Sequence, residues 1–260
     1  MVAGIPTTTL ALLVVLSLFA GVGITAVGPG GIFVTIALVA LTDLPPAVVV
    51  GTASATFVAT GLVGAESYRR SGELGAHGGK RMAVVLSVTG LLGALVGVRL
   101  NALVDESTFA LLLGVFVSLT GVLVFYRTRY GSTGAEGGYD ATTTRGTLGV
   151  AAIGSFVGVS GGLLGVGGPV LAVPLLVAVG VPMLVAVGVA QVQSIFVAAF
   201  ATVGYVARDA VSWPLAVAIG VPELVGVVVG WKVAQSVDAE RLTRVLAVLL
   251  LVLGPYIALR

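Results

Sequence analysis

Two glycine-rich turns, each followed by an apolar run too short to cross a bilayer upright, constrain this chain more than any other feature. The second turn is Gly165-Val-Gly167-Gly168. It opens an apolar run closed by Gly180 and Pro182, and Gly188-Val-Ala-Gln191 follows. The first lies 137 residues earlier, where Gly28-Pro-Gly30-Gly31 leads to Pro45 and then to Gly51-Thr52-Ala53-Ser54. At that offset, with no gap, Gly28, Gly30, Gly31, Pro45, Gly51, Ala53 and Tyr68 each meet an identical residue, Tyr68 meeting Tyr205. Gly93 meets Gly230 in the same way, and after a four-residue shortening Val104-Asp105 meets Val237-Asp238. The chain is therefore a duplicated unit. Solenoid and propeller repeats run only about 20 to 50 residues, whereas a repeat of half the chain is the two-fold plan of many membrane transporters. The boundaries follow as a first repeat over 1–126, a flexible Gly/Ser/Thr-rich linker over 127–145 and a second repeat over 146–260.

The environment follows from composition. Apolar residues make up 58% of the chain and charged residues 9%, with a mean hydropathy of +1.16, which places the chain in a lipid bilayer and predicts a multi-pass protein of the cell membrane. Nucleic acid binding has no basis in so few, scattered charges. With no cysteine and one histidine, His77, thiol catalysis and Cys/His metal sites are excluded, and no cofactor or metal is expected. No Lys or Arg precedes Arg69, so the first apolar run lacks the basic start of a secretory signal and is expected to be retained.

The fold class expected is all-α, a polytopic integral membrane protein, because an isolated segment in lipid must satisfy its own backbone. The first half gives helices over Thr8–Val27, Gly31–Leu44, Pro46–Ala65, Arg81–Leu100 and Ser107–Tyr126. The second gives Gly146–Leu164, Pro169–Gly180, Pro182–Val206, Val211–Gln235 and Ala239–Leu259. The second segment of each half spans only about 20 Å at 1.5 Å per residue, so it forms half of a broken, glycine-hinged hairpin.

Basic residues orient the halves. The loop after Tyr68 carries Arg69, Arg70, Lys80 and Arg81, whereas the loop after Tyr205 carries only Arg208; the next pair of loops reverses this, with Arg99 against Lys232, Arg241 and Arg244. Equivalent loops thus face opposite sides under the positive-inside rule, which predicts an inverted repeat. The best arrangement puts ten basic residues inside and three outside with both termini outside; eight crossings with parallel halves and termini inside score nine against four.

The candidate chemistry lies at the turns. A helix that starts inside the membrane at Gly31 or Gly168 points unpaired N–H groups and the positive end of its dipole into the protein, an arrangement suited to an anion. The same glycines also serve close helix packing. The expected anion-binding set is Gly28, Gly30, Gly31, Gly165, Gly167 and Gly168, joined by Thr52, Ser54, Gln191 and Gln193 from the third segment of each half. Neutral hydroxyl and amide donors bind an oxyanion yet release it more readily than Arg or Lys. Interhelical hydrogen bonding is the alternative role for these polar groups. Glu223, directly after Pro222, is a carboxylate in mid-segment and the candidate for proton coupling; its counterpart at the 137 offset is Leu86.

These residues resemble the TauE/SafE group of sulfite and organosulfur anion exporters. The likeness rests on Gly28-Pro-Gly-Gly31, Gly165-Val-Gly-Gly168, Val173-Pro174, Val50-Gly51-Thr52-Ala53-Ser54 and Tyr68-Arg69-Arg70-Ser71-Gly72-Glu73, in an order that covers nearly the whole chain. Departures are Thr35-Ile36 where the family often has Val-Pro, and Val189 and Gln191 where it often has Thr and Ser. The resemblance implies a secondary transporter for a small sulfur-containing anion such as sulfite, a sulfonate or thiosulfate. Its partners would be that anion and the lipid bilayer. Oligomeric state, transport direction and coupling ion are not encoded legibly. An embedded enzyme would need a deep cluster of reactive groups where only Glu223 stands, and no ATP-binding Gly-x-x-x-x-Gly-Lys-Ser/Thr loop is present. An accessory subunit without transport activity remains the alternative, though it has no need of duplicated broken helices.

Overall fold

The computed structural model describes residues 4–130, 143–236 and 239–259. It contains ten α-helices and no strand among the described residues: α1 (Thr7–Ala26), α2 (Ile32–Leu41), α3 (Pro46–Arg70), α4 (Gly79–Asn101), α5 (Glu106–Tyr130), α6 (Thr144–Leu164), α7 (Pro169–Ala178), α8 (Met183–Val206), α9 (Trp213–Ser236) and α10 (Ala239–Ala258). The ten expected segments are all present. Seven of the helices, α1, α3, α4, α5, α6, α8 and α9, are long and apolar enough to cross a membrane. The chain is thus a multi-pass α-helical membrane protein. Most of the linker expected over 127–145 lies outside the described residues, but α5 runs on to Tyr130 and α6 already begins at Thr144.

Packing is two-fold in pattern. α3 packs on α8 and α5 on α10; α4 packs on α6 and α8, while α9 packs on α1 and α3. Exchanging the two sets of five helices leaves these pairings unchanged. Close glycine approaches give the directions: Gly51 meets Tyr205, Gly61 meets Ile195 and Gly188 meets Tyr68, so α3 and α8 run antiparallel. Gly114 against Ala258 and Gly121 against Leu251 set α5 and α10 antiparallel as well.

The same approaches correct the sequence register of α4 against α9. A Cβ on Gly158 would collide with Gly90, and one on Gly21, its equivalent, with the Glu223 carbonyl. Gly93 abuts Ser155 as Gly226 abuts Leu18, and Gly97 abuts Val159 as Gly230 abuts Val22. Gly93 therefore corresponds to Gly226, and Glu223 to Gly90 rather than to Leu86. The four-residue shortening falls earlier than the sequence placed it, in the loop before α9, where glycine-rich helices offer no side chains to register an alignment.

Outward faces are apolar. Val84, Val88 and Leu92 on α4 and Val217, Val221 and Val225 on α9 are all exposed at helical spacing, the stripe that lipid covers.

Candidate functional site

Each broken helix ends inside the protein, where its last carbonyls cannot reach water and need partners. At the end of α1, the Gly23 carbonyl accepts from the N–H groups of Val27 and Gly28. Ile24 O accepts from Gln191 Nε2 at 3.1 Å, and Thr25 O from the Tyr68 hydroxyl at 2.6 Å. The end of α6 is closed by the equivalent device: Gly161 O accepts from Gly165 N–H, Gly162 O from the Tyr205 hydroxyl at 2.7 Å, and Leu163 O from Asn101 Nδ2 at 3.0 Å. Thr25 and Gly162 stand 137 residues apart, as Tyr68 and Tyr205 do.

The backbone then reverses. Gly28 adopts φ +108°, Gly165 +64° and Gly167 +73°, the left-handed region that favours glycine. Crowding reinforces the choice, since a side chain at Gly28 would strike Val173 and one at Gly165 would strike Val50. A 3-10 turn over Pro29–Gly31 leads into α2, and Gly168 with Pro169 at the first helical position leads into α7. Pro suits that position because its missing N–H would be unpaired anyway.

The starts of α2 and α7 come together. A Cβ on Gly31 would lie 3.5 Å from Val166 O and 3.3 Å from the Phe57 ring, and one on Gly167 would lie 3.5 Å from the other edge of the same ring. A Cβ on Gly168 would lie 3.1 Å from the Cα of Ser194, the position equivalent to Phe57. Phe57 lies halfway along α3 and Ser194 halfway along α8, so the junction sits midway through the long central helices. The Thr35 hydroxyl on α2 donates to the Gly165 carbonyl, tying one half to the turn of the other. All eight residues of the two turns are buried.

The polar residues of α3 and α8 divide by role. The Thr52 hydroxyl accepts from Ser212 N–H at 3.0 Å and secures the loop before α9, away from the junction. Ser54 and Gln191 stand one turn before Phe57 and Ser194 on the same faces, both buried. Gln191 spends its amide N–H on Ile24 and keeps a buried, unpartnered Oε1. Gln193 donates weakly to Gly154 O at 3.5 Å, and its Oε1 is also buried without a partner. Glu223 is fully buried, and neither carboxyl oxygen accepts a hydrogen bond. The Thr56 hydroxyl stands beside that carboxyl, but it donates to Ala53 O at 2.9 Å. Gly90, the equivalent of Glu223, leaves the room that the longer Gln193 fills opposite. Long side chain and short thus trade places across the two-fold.

Phe57 was not among the residues singled out in the sequence. Its signal was there: at the 137 offset a large ring meets a serine, at the midpoint of otherwise small-residue helices. Among the described residues no group of three or more His, Cys, Asp or Glu could hold a metal ion.

Fold and centre together define a multi-pass α-helical membrane protein whose halves meet at two buried helix starts. The chain belongs to the sulfite exporter TauE/SafE family, whose model matches residues 12–257. It is 24% identical over 183 residues, 69% of each chain, to a "Probable membrane transporter protein" of Xylella fastidiosa (strain Temecula1 / ATCC 700964). A protein with the same description from strain 9a5c is 25% identical over the same share. No solved structure matches. The chain is a membrane transporter.

Proposed function

We propose that this chain is a secondary carrier for a small sulfur-containing anion of the sulfite, sulfonate or thiosulfate type, and that the anion binds at the junction of α2 and α7. The observation that carries this reading is the meeting of two helix starts midway along α3 and α8. The N–H groups of Gly168, Val170 and Leu171 head α7, whose first intrahelical bond runs from Ala172 N–H to Gly168 O; they have no intrahelical acceptor. Two helix dipoles directed at one buried point favour a negative charge there. The Phe57 ring stands at that point, so the anion enters as the ring turns away. Antiparallel equivalent helices support halves inserted in opposite senses, which alternate access by rocking. Glu223 couples the movement to protons, and Ser54, Gln191 and Gln193 supply neutral contacts near the path.

Gly168→Leu tests the site. The added side chain must displace Ser194 from its backbone seat, so uptake in proteoliposomes falls to background while membrane insertion and helical content stay near wild type. Normal uptake by a correctly inserted Gly168→Leu protein would remove the junction from the mechanism.

A further inference from the structure

A cavity of about 440 Å³ lies away from the junction, between the last turns of α4 and α8. Leu95, Val96, Val98, Arg99, Gly204 and Arg208 line it. Its apolar wall continues the outward stripe of α4, on which Leu92, Leu95 and Val96 are 59%, 40% and 50% exposed. On α8, Phe200 and Val203, near the lining residue Gly204 in sequence, are exposed. A groove between two lipid-facing helices receives acyl chains, because nothing else of low polarity surrounds the protein at that depth.

The groove is headed by two cations. Arg99 occupies the last turn of α4 and is exposed. Arg208 follows the end of α8, donates from Nη1 to Val98 O at 3.3 Å and holds its guanidinium 5.7 Å from the Tyr205 ring centroid. The bond to Val98 brings Arg208 to the level of Arg99. No carboxylate among the described residues lies within salt-bridge distance of either arginine. Gly204 lets α8 approach α4 closely beside the groove, since a Cβ there would stand 2.9 Å from Val98 Cγ1. The equivalent corner at the other end of the bundle has Lys232 and Ser71 at the positions of Arg99 and Arg208. The paired guanidinium head therefore belongs to one end only.

We propose that this groove is a binding site for an anionic phospholipid, its phosphate held between Arg99 and Arg208 and an acyl chain laid along Leu95 and Val96. Guanidinium groups recognise phosphate oxygens through charge-assisted, paired hydrogen bonds. The apolar wall distinguishes a lipid from a free phosphate, which gains nothing from it.

Native mass spectrometry of the full chain in detergent, titrated with phosphatidylglycerol or phosphatidylcholine of matched acyl length, tests the assignment. One phosphatidylglycerol should bind per chain, with phosphatidylcholine weaker by about tenfold or more, the scale set by two surface cations on an anionic headgroup. R99Q/R208Q should remove that preference, whereas R99K/R208K should keep most of it. V96W keeps both charges but fills the groove, and should weaken phosphatidylglycerol as well; it serves if the doubly neutral protein fails to elute as a monodisperse, helical species. Equal binding of the two lipids, or unchanged binding by folded R99Q/R208Q or V96W, would overturn the proposal. Displacement of the lipid by millimolar inorganic phosphate would instead assign the arginines to a free anion. A dimer that dissociates in R99Q/R208Q would assign this face to a second copy of the chain, and either result contradicts the lipid site.

Discussion

At the scale of single residues, the two halves differ where their shared scaffold does not require a difference. Phe57 and Ser194 occupy equivalent positions against equivalent glycine turns, and so do Glu223 and Gly90 on the helices behind them. A buried carboxyl without a hydrogen-bond donor has no structural return that an apolar side chain would not give better, since burying a charge is costly and burying an unpaired acid is not free. In the proposed mechanism this carboxyl is the group that exchanges protons. Glu223→Gln keeps size and polarity but cannot exchange a proton. The variant should insert and fold as wild type does, and its uptake should no longer respond to an imposed pH gradient. Gradient-driven uptake by Glu223→Gln equal to wild type would take Glu223 out of the coupling mechanism. Glu223 was visible in the sequence as an ionisable residue in an apolar run; its true partner position was not, because Gly93, Gly97, Gly226 and Gly230 allow two registers four residues apart. Phe57 escaped for a related reason. A phenylalanine in a membrane helix is ordinary until its two-fold mate is known to be small.

At the scale of helices, the carbonyls at the broken ends of α1 and α6 explain residues that composition alone would send to the membrane surface. Tyrosines in membrane helices commonly sit at the interface, yet Tyr68 and Tyr205 are both fully buried. Each closes an orphan carbonyl one to two residues before its helix ends. Tyr68→Phe and Tyr205→Phe each leave one such carbonyl buried and unpaired, at a cost of about 1–2 kcal/mol. The two should lower the thermal unfolding midpoint in detergent by similar amounts, as equivalents do; a large loss in one with none in the other would show that the two ends are not held alike. Helix positions themselves were largely legible. α3 begins at Pro46 and α7 at Pro169 as the prolines dictate, and α8 ends at Val206 as expected. α3 overran its expected end at Ala65 by five residues to Arg70, because Glu66 pairs with Arg69 and Arg70 at 2.6 Å along the helix and lets a charged turn continue beyond the apolar core. The meeting of the two turns could not be read from sequence, since it depends on how α3 and α8 cross.

At the scale of the whole molecule, duplication, antiparallel equivalents and paired helix starts make one arrangement. Two like units packed head to tail place their broken hairpins against each other, and the small residues at their contacts let the backbones approach closely. In the proposed carrier mechanism, rocking one unit on the other opens the junction first to one side and then to the other. Uptake of radiolabelled sulfite, thiosulfate and a simple sulfonate into proteoliposomes, with and without an imposed pH gradient, decides whether this transporter carries a small sulfur-containing anion as proposed. Saturable uptake of at least one of these anions, responsive to the gradient, is the expected result. Absence of uptake of all three, by protein shown to be folded and inserted, would contradict it.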